Sequence, residues 1–334
     1  MPSPDLTSPI KLPQVLESRR MFEEPNKDLS CTVVVCTRDR SIQLDECLEA
    51  VSRLRYPKFN VLVVDNAPLE ARSQEVAMRW GARYCLEPNP GLSRARNRGA
   101  RESDTEIVAY LDDDSLCEPE WLTALVSEFA DSKVMVVTGK VSLVLPDGNV
   151  SYPKQDINER RVVDRETSAW FELANFGGLG NGGNMAFRRC VFDSWPGFDE
   201  RLGRGALLWS GEEHYAFFSL INRGYRVVYT PSAVVKHPYP RAINDLRMRC
   251  LKGYAALAGY LTLLLVEEPQ YRGATFKYMI EGIKHVERAW RYSSGNPPLR
   301  LPRVAPYWQI ILAYLSGPIL YLRSCLQRAL RCIE

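Results

Sequence analysis

The segment Ile107-Val108-Ala109-Tyr110-Leu111-Asp112-Asp113-Asp114 decides how this chain folds. Its apolar residues, mostly β-branched or aromatic, predict a buried strand that ends in three consecutive carboxylates. Like charges this close repel each other unless a cation lies among them. Side chains alternate along an extended segment, so Asp112 and Asp114 can present oxygens on one side. A polar turn after a strand is the simpler interpretation, and it suits one aspartate better than three.

Strand and helix patterns alternate before this segment. The spacing of apolar residues predicts strands over 32–36, 60–64 and 82–86, and helices over 41–54, 69–80 and 91–101. Alternating β and α units predict a Rossmann-like α/β fold, with a mostly parallel sheet flanked by helices. In such sheets ligands bind beyond the carboxyl ends of the strands. Thr37, Arg38, Asp65 and the aspartate triplet all lie at such ends and should converge on one crevice.

The pattern after the triplet is less regular. We predict a helix over 121–129, a β-rich stretch over 134–144, an insertion or mobile loop over 146–172, and a strand over 185–187. A glycine-rich segment over 175–184 allows either close backbone approach to a ligand or plain flexibility. A helix over 212–221 precedes two short strands over 225–229 and 233–236. His237 follows the last strand directly and is one of only three histidines, which favours a ligand role over a structural one.

The composition is that of a globular protein. The 334 residues are 46% hydrophobic and 25% charged, and the net charge of +3 is too small to indicate a nucleic-acid partner. The nine cysteines show no CxxC pair, so we expect reduced, mostly buried thiols and a cytoplasmic protein. Residues 1–30 lack the basic start and apolar core of a signal peptide and predict a loose lead-in.

Several motifs of the chain occur together in the order seen in one enzyme family. They are VVVCTRDR (33–40), VLVVDNAP (61–68), GLSRARNRGA (91–100), VAYLDDDS (108–115), GGNMAFRR (182–189), WPGFDERLG (195–203), SGEEHYAF (210–217) and VVKH (234–237). Over about residues 31–240 the chain resembles family 2 glycosyltransferases of GT-A fold. The resemblance implies a transferase that moves a sugar from a nucleotide-diphosphate sugar, with a UDP-sugar as the expected donor, to a hydroxyl on a glycan or lipid-linked acceptor.

The resemblance also implies which residues bind the donor. Thr37 and Arg38 would line the nucleotide pocket, and Asp65 would accept a hydrogen bond from the base. Arg96, in the family's Ala-Arg-Asn element, would lie near the diphosphate or base, where its fork of donors suits phosphate. Arg94 is a second candidate for the same task. The alternative for both arginines is a solvated helix face.

The aspartate triplet matches the family's metal-binding element. Asp112 would reach the ribose or the metal, Asp114 would bind the metal directly, and Asp113 would touch the sugar. His237 matches a histidine that completes the metal site in some members. Oxygen ligands and a phosphate-bearing substrate indicate Mn²⁺ or Mg²⁺, which would neutralise the leaving diphosphate.

The catalytic base departs from the family pattern. Members usually carry Glu-Asp before this helix, with the aspartate as the base, whereas this chain has Glu212-Glu213. By position Glu213 would take the proton from the acceptor hydroxyl, and a single displacement would invert the anomeric centre. Glu212 remains the other candidate. Both glutamates would also favour a helix N-terminus through its dipole.

Acceptor contacts are expected from the second half of the catalytic domain. Trp209 could stack on a sugar or cover a lipid, and Asn184 lies in the glycine-rich segment that approaches the site in the family. Trp170 and Phe171, within the charged insertion, are candidates for a lid. Aromatic residues of this kind belong to a core more often than to a binding platform.

The C-terminal region falls outside the resemblance. Its apolar stretches at 254–266 and 305–322 carry no charged side chain, and arginines flank the second. They predict either a surface that lies on the cytoplasmic face of a membrane or helices that pack on the catalytic domain or on a second subunit. The expected organisation is a lead-in (1–30), a catalytic domain (31–240) with a nucleotide-sugar half (31–130) and an acceptor half (131–240), and a helical appendage (241–334).

Two other functions were weighed against transfer. A nucleotide-sugar-binding scaffold with a degenerate transferase site is favoured only by the Glu-Glu departure. A nucleotidyltransferase on a similar fold would show a glycine-rich loop near the first strand, and CTRDRS (36–41) has no glycine.

Overall fold

A computed structural model describes residues 29–144, 150–151, 158–238, 243–291 and 305–331. The predicted lead-in therefore lies almost wholly outside the described residues. The strands are β1 Cys31–Thr37, β2 Phe59–Asn66, β3 Arg83–Glu87, β4 Ile107–Asp112, β5 Leu116–Cys117, β6 Val134–Val144, β7 Val150–Ser151, β8 Arg161–Val163, β9 Asn184–Arg188 and β10 Arg226–Pro238. The helices are α1 Ser41–Val51, α2 Arg72–Arg79, α3 Leu92–Glu102, α4 Trp121–Ser127, α5 Trp170–Phe176, α6 Glu212–Asn222, α7 Ile243–Glu267, α8 Arg272–Arg291 and α9 Tyr307–Arg331.

One sheet contains all ten strands. Its central path runs β3-β2-β1-β4-β9-β6-β10-β5, with β7 on β6 and β8 on β10. The pairs among β3, β2, β1 and β4 are parallel, as predicted. Beyond β4 the sheet is mixed, because β9 runs antiparallel to both β4 and β6. The α/β class is confirmed, whereas the parallel arrangement is confined to the first half of the chain and the pair β6–β10.

The core lies on both faces of the sheet because successive side chains of a strand point to opposite sides. In β1, Val33 and Val35 pack with α1, α2 and α4, whereas Val34 packs with the side that carries α3, α5, α6 and α7. All three valines are fully buried. A strand buried on both faces reads as an unbroken apolar run, which is why 32–36 was recognisable.

Two predictions for the second half of the chain need correction. The two short strands expected after residue 224 are one strand, β10, whose register against β6 shifts between Thr230 and Val234, next to Pro231. Proline has no backbone N–H to donate, which interrupts the ladder there. The loop expected over 146–172 includes strand β8 and the start of α5; residues 145–149 and 152–157 lie outside the described residues.

Helices α7, α8 and α9 follow the sheet, in agreement with the predicted helical appendage. Contacts between α7 and α9 run in the same order along both helices, so the two are parallel. Arg247 donates to Gln309 at 2.8 Å near their N-termini, and Tyr321 donates to Glu267 at 2.8 Å near the end of α7. At Gly317 a Cβ would lie 2.5 Å from the Cβ of Ala258, so the glycine permits the helices to touch. The boundaries proposed between lead-in, domain halves and appendage stay predictions.

The eight cysteines within the described residues are free thiols. Cys31, Cys47 and Cys117 are buried, Cys190 is exposed, and the other four are partly buried, so the expectation of mostly buried thiols is wrong for these residues.

Candidate active site

The aspartate triplet lies at the carboxyl end of β4, beside the end of β1. Cys36 of β1 pairs with Asp112 in the parallel ladder, which brings the β1–α1 loop against the triplet. The hydroxyl of Thr37 donates to Asp113 at 2.8 Å. The guanidinium of Arg40 donates to Asp113 and to Asp114, both at 2.6 Å. Arg40 is the cation that relieves the repulsion within the triplet, and the sequence interpretation did not include it.

Burial and the charge of Arg40 have different net effects on the pKa values of Asp113 and Asp114, the two carboxyl groups that Arg40 bonds. Burial raises the pKa of Asp113 to about 7, although Arg40 and the hydroxyl of Thr37 act in the opposite direction. Burial also acts to raise the pKa of Asp114, but the hydrogen bond and charge of His237, together with Arg40, hold it well below its usual range. Asp114 is therefore an anion at neutral pH.

His237 reaches the triplet through the short strand β5. Leu116, two residues after Asp114, pairs with Lys236 of β10, so the next residue of β10 lies beside the triplet. Nε2 of His237 lies 3.1 Å from Oδ1 of Asp114. Ligand atoms of Asp112, Asp114 and His237 all lie within 4.8 Å of one another. Two carboxylates and an imidazole this close fit a divalent ion such as Mn²⁺ or Mg²⁺.

The carboxylate pair at the start of α6 lies across from the triplet. Arg96, which is 2% exposed, donates to Oε1 of Glu212 at 2.8 Å and to the carbonyl of Gly182 at 2.8 Å. It also lies 3.6 Å from Oδ1 of Asp112. One buried guanidinium thus joins the helix that carries the candidate base to the strand that carries the metal ligands.

The two glutamates differ in protonation and in hydrogen bonding. Burial and then the charge of Glu213 raise the pKa of Glu212 to about 7, against the pull of Arg96. Burial also opposes ionisation of Glu213, yet His214, Arg96 and backbone N–H groups outweigh it and lower the pKa of that carboxyl. Among the described residues, Oε2 of Glu213 has no hydrogen-bond partner. Glu213 is the ionised carboxylate with a vacant acceptor atom.

Two cavities meet at Asp112. One, of about 200 Å³, is lined by the β1 end and the triplet; the other, of about 300 Å³, is lined by the glycine segment and the carboxylate pair. Asp112, Leu92 and Arg204 line both. The smaller cavity is also lined by Thr37, Arg38, Arg40, Asn66, Asp113 and Asp114. The larger cavity is also lined by Arg96, Trp209, Glu212, Glu213 and His237.

The glycine segment approaches the site closely, which was one of its two interpretations. At Gly183 a Cβ would lie 2.5 Å from Oδ2 of Asp112, so a side chain there would displace the carboxylate. Asn184, expected among the acceptor contacts, is fully buried and bonded inside the protein. It accepts from Trp121 and donates to the carbonyl groups of Lys140 and Ala233. Its role in the structure is to hold β9 in the sheet.

Two predicted donor-binding residues, Arg38 and Asp65, differ in their placement. Arg38 lies at the rim of the smaller cavity, 3.7 Å from Asp39. Asp65 is fully buried beside β3, where Tyr84 donates to one carboxylate oxygen at 3.2 Å and the other oxygen has no hydrogen-bond partner among the described residues. Burial raises the pKa of Asp65 above its usual range. Its neighbour Asn66 is the residue that lines the cavity.

Arg94 is not brought together with the other candidates. Its guanidinium pairs with Glu200 at 2.6 Å and lines a separate cavity of about 940 Å³. Arg94 and Arg96 are two residues apart on α3, so a helix turns their side chains toward different sides. Arg96 alone faces the candidate site.

The aromatic residues divide in a similar way. Trp209 lines the larger cavity, with the guanidinium of Arg204 5.6 Å and the ammonium of Lys252 5.9 Å from its ring centroid. Trp170 and Phe171 do not form a lid, so that expectation is wrong. They belong to α5 and pack against Phe218 of α6 and against Tyr271. Their burial releases more free energy than exposure on a lid would allow.

Residues 32–195 match the family model described as Glycosyl transferase family 2. The chain is 28% identical over 233 residues to a glucosyl-dolichyl phosphate glucuronosyltransferase of Haloferax volcanii, a match that covers 63% of this chain and 69% of that protein. It is 27% identical over 315 residues to a pre-mycofactocin glycosyltransferase of Mycobacterium tuberculosis, covering 91% of this chain but 58% of the relative. The chain thus spans less than two thirds of that second relative.

Two solved structures share the fold. A mannosyltransferase from Pyrobaculum calidifontis, in complex with GDP-Man and Mn²⁺, aligns with a TM-score of 0.52 at 18% identity, over 92% of this chain and 77% of that one. TarS of S. aureus, in complex with UDP-GlcNAc, aligns with a TM-score of 0.52 at 17% identity, over 71% and 73%. These likenesses show a GT-A type fold.

Proposed function

Because this chain is a glycosyltransferase of family 2, we propose that it is a cation-dependent, inverting transferase that uses a nucleotide-diphosphate sugar. One observation carries the proposal: Asp112 and His237, which belong to a cluster that fits a divalent ion, line the same cavity as Glu213. Metal ligands and a vacant carboxylate on one cavity are what displacement of a diphosphate by a hydroxyl requires.

The smaller cavity is proposed to hold the nucleotide. Thr37, Arg38 and Asn66 surround it with hydrogen-bonding groups, and it continues to the triplet. We propose a uridine nucleotide, with the unpartnered oxygen of Asp65 as the acceptor for the base after a small movement of its neighbours. The related folds in complex with UDP-GlcNAc and with GDP-Man support a nucleotide-sugar donor.

Asp112, Asp114 and His237 are proposed to hold Mn²⁺ or Mg²⁺. The ion would supply positive charge to the departing diphosphate. Asp114 is already ionised, and Arg40 occupies its other oxygen, so the carboxylate keeps one fixed orientation. Arg204, which lines both cavities, is placed to contact phosphate oxygens at their junction.

Glu213 is proposed to be the catalytic base, and Glu212 a positioning residue. Oε2 of Glu213 would take the proton from the acceptor hydroxyl, so that the hydroxyl oxygen attacks the anomeric carbon opposite the diphosphate. The new bond to oxygen forms as the bond to the diphosphate breaks, which inverts the configuration. Glu212 is the weaker candidate because Arg96 occupies its Oε1, and because a pKa of about 7 leaves only part of the Glu212 carboxyl groups ionised at neutral pH.

Acceptor recognition is proposed for the Trp209 side of the larger cavity. Its ring and the two nearby cations, Arg204 and Lys252, could receive a sugar that carries a negative group such as phosphate. The Haloferax relative, whose name includes a dolichyl phosphate sugar, supports a glycoconjugate or lipid-linked acceptor.

The direct test is calorimetric titration of UDP with and without Mn²⁺, followed by a mass-spectrometric screen of nucleotide sugars for hydrolysis. We expect tighter UDP binding with Mn²⁺ and cation-dependent hydrolysis of one donor. Hydrolysis of a GDP-sugar instead would show that the donor carries guanine rather than uracil, and the proposed class of reaction would stand. UDP binding without hydrolysis of any donor would favour a scaffold, and full activity after chelation of divalent ions would refute the role of the cation.

A further inference from the structure

An apolar stripe runs along the outside of α9. Its large side chains are 56–65% exposed and recur every three or four residues, which places them on one helix face. The members of this α9 stripe are Trp308, Ile311, Leu312, Leu315, Ile319, Leu322, Leu326 and Leu330. With 25 residues the helix is about 37 Å long, so the α9 stripe is far more than a scatter of single exposed residues.

The inner face of α9 is tied to the rest of the protein. Tyr321 donates to Glu267, and Ser324 is buried. The guanidinium of Arg201 lies 3.5 Å from Sγ of Cys325. By length and composition alone, the helical segments 307–330 and 247–267 could each cross a membrane. Within the protein, 17% of the most apolar 18-residue stretch of the first segment is buried, and 39% of that of the second. The contacts of Arg201 with Cys325 and with the ring of Tyr321 hold α9 against the catalytic domain, which favours a helix that lies along a surface over one that spans it.

The charges of α9 indicate which kind of surface would contact the α9 stripe. Residues 305–331 contain three arginines, Arg323, Arg328 and Arg331, and no acidic residue. Arg323 and Arg328 are exposed. A second copy of the stripe would add more positive charge without any acid to neutralise it, whereas anionic lipid headgroups supply the opposite charge.

The N-terminal end of α9 lies on the side of the active site. Arg247, which is bonded to Gln309, is five residues before Lys252 on α7, and the ammonium of Lys252 lies 5.9 Å from the ring centroid of Trp209 in the larger cavity. Tyr307 and Trp308 are 44% and 60% exposed at this end, and Met248 of α7 is 55% exposed. Tyr and Trp are the residues that favour the headgroup region of a bilayer.

We propose that the α9 stripe lies in the plane of an anionic membrane surface, with Trp308 in the headgroup region. The apolar side chains enter the boundary of the acyl chains while the arginines contact phosphate groups. The catalytic domain remains in the aqueous phase, with its active-site end near the lipid. This inference concerns where the enzyme works and does not depend on the proposed donor or base.

The test is flotation of the full chain with phosphatidylcholine vesicles, with and without phosphatidylglycerol. We expect at least about tenfold stronger partitioning into the anionic vesicles, reduced by added salt. The double variant Leu315→Gln/Ile319→Gln should lower partitioning by about tenfold or more, since two exposed apolar contacts with lipid are removed. The control Met78→Gln/Leu86→Gln, at exposed apolar positions of α2 and β3, should leave it unchanged.

A second pair of variants tests the charges. Arg323→Gln/Arg328→Gln should remove about tenfold of the preference for anionic vesicles, while Arg101→Gln/Arg165→Gln should not. Lipid quenchers should reduce tryptophan fluorescence in the wild type and much less in Trp308→Phe. Near-ultraviolet circular dichroism establishes that each variant is folded.

The proposal would be overturned by equal partitioning of the α9 variants and wild type, or by no preference for anionic lipid. It would also fail if light scattering showed an oligomer that Leu315→Gln/Ile319→Gln dissociates while vesicle binding is absent, because a second copy would then cover the stripe. Donor hydrolysis is measured separately without vesicles, so failure of the proposed transfer reaction would be recognised as a different result.

Discussion

Two acidic clusters line adjoining cavities that meet at Asp112, and an arginine holds each cluster differently. At the end of β4, Arg40 bonds both Asp113 and Asp114. At the start of α6, Arg96 bonds Glu212 and leaves Oε2 of Glu213 without a hydrogen-bond partner among the described residues. Carboxylates of similar chemistry thus acquire different roles. Carboxylates whose oxygens are fixed by hydrogen bonds suit the binding of an ion, and an oxygen without a hydrogen-bond partner suits the acceptance of a proton.

The strongest test of this difference is Glu213→Gln. The amide keeps the shape of the side chain but cannot take a proton, so transfer should fall by about 10³-fold or more. UDP binding should change little, because no donor contact is assigned to Glu213. Steady-state kinetics and calorimetry measure the two effects.

Glu212→Gln and the exposed Glu166→Gln serve as controls for that variant. Glu212→Gln should retain measurable transfer, and Glu166→Gln should match the wild type. If Glu212→Gln is inactive and Glu213→Gln is active, the two roles are reversed.

Asp114→Ala tests the other cluster. Loss of one of three ligands should weaken Mn²⁺ binding by more than about a hundredfold, since even outer groups of a metal site contribute 10- to 100-fold. Mn²⁺ titration followed by electron paramagnetic resonance measures this without any substrate. The exposed Asp104→Ala should bind Mn²⁺ like the wild type; an unchanged affinity in Asp114→Ala would place the ion elsewhere.

Arg96→Ala removes the link between the clusters. Glu212 and Asp112 would lose a buried charge partner, and the free energy of unfolding should fall by about 3–5 kcal/mol. Urea unfolding measures it. Adding Glu212→Gln to Arg96→Ala should recover part of the loss above about pH 7, because the amide cannot ionise at a buried position that has lost its counter-charge. No recovery would mean that Arg96 contributes through packing on Phe198, which it covers at 5.7 Å.

The raised pKa of Glu212 predicts a pH dependence of smaller size. The pKa of Glu212 is about 7 in the folded protein and has the ordinary value of 4.5 in the unfolded chain. Between pH 4.5 and pH 7 the folded state therefore keeps a proton on Glu212 that the unfolded state has lost. The stability from protonated Glu212 is therefore present below about pH 4.5 and is lost as the pH rises through about 7. Between pH 5 and pH 8 the free energy of unfolding of the wild type should fall by about 2–3 kcal/mol relative to that of Glu212→Gln, which cannot ionise. Urea unfolding at each pH measures this difference. A constant difference would contradict the raised pKa.

Much of the first half of the fold could be predicted because its signals are local. The strand at 107–111 and the alternation before it are visible as apolar runs and helical spacing. The parallel-sheet argument placed Thr37, Arg38, Asp65 and the aspartate triplet at one edge, whereas the metal role of His237 was predicted from the resemblance to the family. The mixed second half was harder, because pairing of β9 between β4 and β6 depends on contacts far apart in sequence.

The missed residues share a physical reason. Arg40 and Arg204 are charged residues in loops, and no spacing rule separates an arginine that bonds a triplet from one that lies in solvent. Arg94 and Arg96 stood in one motif, yet the turn of α3 directs them to different cavities. Trp170 and Phe171 were assigned to a lid because the surrounding charges hid the helix that buries them.

The sequence by itself determined the class of fold and the acidic strand end, since both depend on neighbouring residues and on the periodicity of strands and helices, and the resemblance of SGEEHYAF (210–217) to the family supplied the two candidate glutamates. Only the tertiary structure decided which glutamate is vacant, which arginine holds which carboxylate, and which face of α9 is left uncovered. These choices depend on distances between residues such as Arg96 and Glu212, 116 positions apart. Charge pairing and burial act through space, and a linear pattern does not contain that distance.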